Sequence, residues 1–215
     1  MNVPDSTIVQ MLERMLHTSQ EYVDSLVGAV QRVARELSSI SFNYNSHMIR
    51  AGMRSPELQT LDDQLDDASA QLGRTLFDLQ QRLLGDVQAL RRLTRVFEAV
   101  DLEDDRPPIA RLREGLDAYC TALEQEHRGI SEILGSLSVR LRLMANNVEI
   151  AASHAGGESV AAPVDLFCAM AALLRALAGR LRTATGDLRV FEQTQNGYAE
   201  TLRTVLASRE RGEAA

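Results

Sequence analysis

Lysine and tryptophan are missing from this chain of 215 residues, and cysteine, proline and aromatic side chains are scarce. With no lysine, all 23 basic residues are arginine, which excludes Schiff-base chemistry and the lysine of a phosphate-binding loop. A net charge of −7, with the arginines spread beside acids, speaks against nucleic acid, because phosphate binding needs concentrated positive charge. Cys120 and Cys168 follow no CxxC or metal-ligand spacing and read as small buried thiols in a reducing compartment. The start of the chain is polar and no apolar run reaches membrane-spanning length, so a cytoplasmic protein with no membrane insertion is expected.

What the chain does contain is alanine, leucine, arginine, glutamate and glutamine, the strong helix formers. Four of its five prolines (Pro56, Pro107, Pro108, Pro163) stand at breaks between long segments whose apolar residues recur three and four apart. The first stripe runs Leu12, Leu16, Ser19, Val23 and onward through Leu37, Ile40, Tyr44, His47 and Ala51, with Asp5 or Ser6 as cap. A second opens at Ser55-Pro56-Glu57 and runs from Leu58 through Leu65, Leu72, Leu79 and Leu90 to Phe97. The acidic break 101–108 leads to a third, from Ile109 through Leu116, Tyr119, Leu123, Ile130, Ile133 and Leu137 to Met144, whose stripe drifts from about Leu134. The fourth follows Ala162-Pro163, from Phe167 through Leu174, Leu181, Leu188, Phe191 and Gln195 to Val205.

These segments predict an all-α fold, a single domain over 1–215. It is an elongated antiparallel four-helix bundle, or coiled coil, built from two hairpins spanning 1–105 and 106–215. Each helix would be roughly 65 Å long at 1.5 Å per residue. Short connections make successive helices antiparallel neighbours.

The two hairpins look like copies of one unit. Setting Asn43 over Asn147, an offset of 104, lays 43–52 over 147–156, and both stretches end in Ala-Gly before a loop, a proline and another long helix. Leu26, Val33 and Ile40 then fall on Ile130, Leu137 and Met144.

The residues at these turns resemble the cytoplasmic tip of methyl-accepting chemotaxis receptors, a pattern near N-A-A-I-E-A-A-R-A-G followed by a returning helix. In the second copy Asn147, Ile150, Ala152, Ala155 and Gly156 match it. After a loop longer by about five residues, Phe167, Ala171, Arg175, Leu177 and Ala178 fall on the returning helix's positions. The first copy keeps Asn43, Arg50, Ala51 and Gly52, with Leu58 in place of the phenylalanine, while the family's central glutamate is His47 here and Ala151 in the second copy. The resemblance covers about 30 residues at each turn. It implies a bacterial chemosensory signalling or scaffold protein, not an enzyme and without cofactor or metal. Its hairpin tips (Asn43, His47, Arg50, Gly52, Leu58, Asn147, Ile150, Gly156, Phe167, Arg175) would contact a histidine kinase, a coupling adaptor or receptors. Receptor tips are dimers of hairpins, and two hairpins fused in one chain would place both tips at one end. The chain itself would be a monomer or a homodimer.

Two alternatives stand beside this reading: a histidine phosphotransfer protein using His47, and a general helical adaptor. His47 with Arg50 and Gly52 resembles a phosphotransfer motif, but a transfer histidine must be exposed and this one falls on the apolar stripe. Glu124-x-x-His127 has di-iron spacing but no second copy, and is read as surface, with His17 surface and His154 in a loop. The acidic run 62–67 is read as a solvated face, and Asn43, Asn146 and Asn147 as polar residues that fix register or cap the helix ends.

Overall fold

The computed structural model describes residues 5–51, 56–98, 108–155 and 161–213, with side chains described over 7–47, 59–95, 109–150 and 164–210. Among the described residues all are helical, in four helices: α1 (Asp5–Ala51), α2 (Pro56–Glu98), α3 (Pro108–Ala155) and α4 (Ala161–Glu213). The all-α expectation is met, and three starts follow local chemistry. Pro56 and Pro108 open their helices and Pro163 lies in the first turn of α4, where a missing N–H costs nothing.

The chain divides into two compact units, and each is drawn from all four helices. Unit 1 comprises 1–26, 79–129 and 187–215, and unit 2 comprises 27–78 and 130–186. The division therefore cuts across the helices and does not separate one hairpin from the other.

Polar contacts in unit 2 fix the helix order. Ser38 meets Ser69, the Ser41 hydroxyl donates to Asp66 at 2.7 Å and the Asn45 amide to Asp62 at 2.9 Å, so numbers rise along α1 as they fall along α2. Arg140 on α3 donates to Gln71 and Asp67 on α2. The Ser138 hydroxyl donates to the Ala178 carbonyl of α4 at 2.8 Å, and Arg180 of α4 pairs with Glu36 of α1. Each helix thus has two antiparallel neighbours, the up-down-up-down closure. Unit 1 repeats that order through different residues: Asp86 beside His127, Asp117 beside Arg203 and Tyr22 beside Phe191.

The cores follow the expected stripes, but Met15 is buried where Leu16 was expected and Leu206 where Val205 was. Cys120 is half-buried and Cys168 exposed, where both were expected to be buried. Leu12, Leu90, Leu112, Leu116, Leu123 and Leu202 pack in unit 1; Leu37, Leu65, Leu72, Leu141, Leu174 and Leu181 are buried in unit 2. Each stripe interrupts its three-four alternation with two consecutive steps of four. These run Met15–Ser19–Val23 in α1, Thr75–Leu79–Leu83 in α2, Tyr119–Leu123–His127 in α3 and Phe191–Gln195–Ala199 in α4. The drift in the third stripe is this step, which falls before Leu134, and Leu134 is itself fully buried while Ile133 is only partly so.

Burial also extends the sequence repeat. At an offset of 104 every buried residue of α1, from Ile8 over Leu112 to Tyr44 over Val148, falls on a buried residue of α3. At an offset of 109, the same register lengthened by the five-residue loop difference, every buried residue of α2 except Leu83 and Val87 falls on a buried residue of α4.

Candidate functional site

Two places combine polar and apolar groups in an arrangement that packing alone does not require: the helix ends of unit 2 around the two turns, and a polar level in the core of unit 1.

At the unit 2 ends, the ring of Tyr44, about two turns before the C-terminus of α1, lies 6.2 Å from the ring of Phe167 near the start of α4. This contact sets the outgoing end of the first hairpin beside the return of the second. Tyr44 is buried and its phenol is held in the protonated form, by desolvation first and by the Asp62 carboxylate second. Around the pair, Asn43 and His47 are exposed on α1, and Asn147 and Ile150 on α3. Phe42 and Ile150 are large apolar residues left 73% and 57% in solvent. Arg175 donates to both carboxylate oxygens of Glu149 and to Asn146, tying α4 to α3, and these hydrogen bonds hold the Glu149 carboxyl below its usual range.

The expected tip residues therefore separate into groups. Asn43, His47, Asn147, Ile150 and Arg175 are surface groups of unit 2. Phe167 is not: it is fully buried, a core anchor under the turn that touches no solvent. Arg50 and Leu58 are helical, with side chains outside the described residues, and Gly52 and Gly156 lie outside them altogether. His47 needs correction, because it is exposed, where it had been placed on the apolar seam. Asn43, Asn146 and Asn147 are likewise exposed and do not interrupt the seam.

The acidic run is not a simply solvated face. Asp62 and Asp66 accept hydrogen bonds from α1 and Asp67 from α3, so the run ties α2 to both neighbours. Burial, then Asp66 and Asp63, push the Asp62 carboxyl up, and the Asn45 amide opposes them. A shallow cavity of about 420 Å³ is lined by Thr60, Asp63, Gln64, Asp66 and Asp67.

The polar level of unit 1 was not anticipated. His127, expected at the surface, is fully buried, and Asp86 is 4% exposed. Glu124, its supposed metal-site partner, is exposed and paired with Arg128. His127 Nε2 lies 3.3 Å from Asp86 Oδ2, close enough for attraction but without hydrogen-bond alignment. Beside them the Tyr119 hydroxyl donates to Gln195 Oε1 at 3.4 Å, and Gln195 Nε2 donates to the Met15 carbonyl at 3.2 Å. Desolvation keeps Tyr119 protonated, with the Ser19 hydroxyl drawing it back slightly. At the repeat offsets Asp86 corresponds to Gln195 and His127 to Val23. The two hairpins therefore each carry a buried polar residue at this equivalent place, with different partners. The signal for this in the sequence was the pair of four-residue steps, which bring position 127 onto the stripe.

Among the described residues no group of three or more histidine, cysteine, aspartate or glutamate side chains is arranged to hold a metal ion. No helix among them is long and apolar enough to cross a membrane. Comparison with protein-family models, with curated proteins and with solved structures returns no match.

Proposed function

We propose that this chain is a cytoplasmic signalling or scaffold protein of a bacterial chemosensory system, and that it binds protein partners through the paired hairpin ends of unit 2. The partners are a histidine kinase, its coupling adaptor or chemoreceptors. The observation that carries the proposal is the Tyr44–Phe167 contact, which sets the two hairpins side by side next to their turns. Receptor dimers achieve this pairing with two chains. Support also comes from the Asn, Arg and Ala-Gly residues shared with the receptor tip, and from the buried positions that coincide between the hairpins, as expected of a fused duplication. Exposed Asn43, Asn147, Ile150 and Arg175 supply the polar and apolar contacts such a surface uses.

Affinity capture from the protein's own cytoplasm, read by mass spectrometry, tests this. Chemosensory proteins are expected among the captured partners and should be lost from the double charge reversal R50E/R175E. Capture that contains none of them contradicts the proposal.

The exposure of His47 favours a second reading, phosphotransfer, since a partner's aspartyl phosphate can approach an imidazole on an open helix face in line. Incubation with phosphorylated kinase or response regulator would then leave an acid-labile label on the wild type and none on H47Q. An unlabelled wild type removes this reading.

A further inference from the structure

Phe77 and Leu84 of α2 stand 62% and 47% in solvent, one heptad apart. With exposed Ala70, Gln81 and Gln88 they lie on the side of this uninterrupted helix that is turned away from buried Leu79. Single apolar residues at a surface are ordinary, so the stripe alone does not say what covers it. The charges at its two ends do.

The segment Asp63-Gln64-Leu65-Asp66-Asp67 precedes Leu79, and Arg91-Arg92-Leu93-Thr94-Arg95 follows it at the same distance. Reversing one segment about Leu79 lays Asp63 over Arg95, Asp66 over Arg92 and Asp67 over Arg91, with Leu65 over Leu93. Both leucines are buried, so in each segment the charges are turned outward, and all six are exposed. The acidic segment belongs to unit 2 and the basic one to unit 1. Asp66 and Asp67 each give one oxygen to a neighbouring helix, to Ser41 and Arg140, and a carboxylate has further acceptor sites. Arg91, Arg92 and Arg95 form no ion pair among the described residues. Along one helix the two segments stand several turns apart, so acids and arginines of matching spacing can meet only between molecules.

We propose that this face of α2 docks on the same face of a second copy of the chain, the two helices antiparallel, with 63–67 of each copy against 91–95 of the other. The contact is isologous, as a two-fold dimer requires: each copy offers one acidic and one basic segment and receives the opposite of each. The parallel arrangement in register sets aspartate on aspartate and arginine on arginine, so the charges select the antiparallel one. In that register Phe77 of one copy stands three residues from Leu84 of the other, about 4.5 Å along the axis. The apolar centre supplies the affinity, since exposed ion pairs are individually weak, and the charged ends set direction and register.

Sedimentation equilibrium of the full chain tests this. The wild type is expected to form a reversible dimer of the 23.7 kDa chain with a Kd below about 0.1 mM. Raising salt from about 0.01 M to about 1 M shortens the screening length from about 30 Å to about 3 Å and should weaken the dimer by about tenfold or more. F77S/L84S alters only exposed positions and should give a monomer of unchanged helicity. R91D/R92D/R95D makes both segments acidic and D63R/D66R/D67R makes both basic. Each should be monomeric alone, and an equal mixture should recover the dimer, which a merely structural role for these residues does not produce. Because Asp66 and Asp67 also hold neighbouring helices, the single pair D63R and R95D repeats the exchange at positions with no such duty: each weakens the dimer and their mixture restores it. A wild type that stays monomeric at about 0.1 mM, a dimer that survives F77S/L84S, or D63R and R95D chains that gain nothing on mixing, overturns the proposal.

Discussion

Gly73 and Gly186 sit inside helices with open space where a Cβ would stand, so each spends backbone freedom on folding without packing against anything. G73A and G186A are each expected to raise stability by about 0.5–1 kcal/mol, read from the urea midpoint at unchanged slope. Gly115 behaves differently, since a Cβ there would meet Leu93 Cδ2 at 2.4 Å, and Leu93 belongs to the unit 1 core. G115A must displace that side chain and should gain less than the other two, or lose stability. Leu134 is fully buried in unit 2, and L134A should cost about 2–5 kcal/mol. At this scale apolar burial was legible from the sequence, because a leucine on a three-four stripe has one place to go. Polar burial was not. His127 and Asp86 are types usually found in water, and only the irregular step in the stripe marked them.

Among elements, the polar level of unit 1 is the part whose energetics are easiest to dissect. Tyr119 of α3, Gln195 of α4 and the Met15 carbonyl of α1 form a chain of hydrogen bonds across three helices. Y119F removes the donor to Gln195 and is expected to cost about 1 kcal/mol, the usual worth of a neutral bond this long. Q195L leaves both the Tyr119 hydroxyl and the Met15 carbonyl without this partner and should cost more. The double variant should cost less than the two singles added, because the buried hydroxyl is then gone, and a thermodynamic cycle on denaturation midpoints reads the coupling directly. Helix starts at Pro56 and Pro108 could be placed from sequence because proline fixes the first turn. The exposure of His47 could not. Periodicity continued formally to His47, whereas Tyr44 is buried and His47 exposed. That one misplaced position changes the chemistry open to His47 from a packed ring to an accessible one.

Across the whole molecule, four helices arranged as two hairpins with coincident buried positions account for the composition: leucine stripes, arginine-rich outer faces and four of the five prolines at the breaks. The division into two compact units was not legible, since every stripe passes through both without a gap. The functional claim rests on unit 2, where the two turns are flanked by helix ends already in contact through Tyr44 and Phe167. Titrating the purified full-length chain with the purified coupling adaptor and histidine kinase of the same cell, alongside R50E/R175E, tests that claim most directly. Saturable binding by the wild type that is lost in the variant, with helicity unchanged, is the expected result. No binding to either partner by a folded wild-type chain would contradict it.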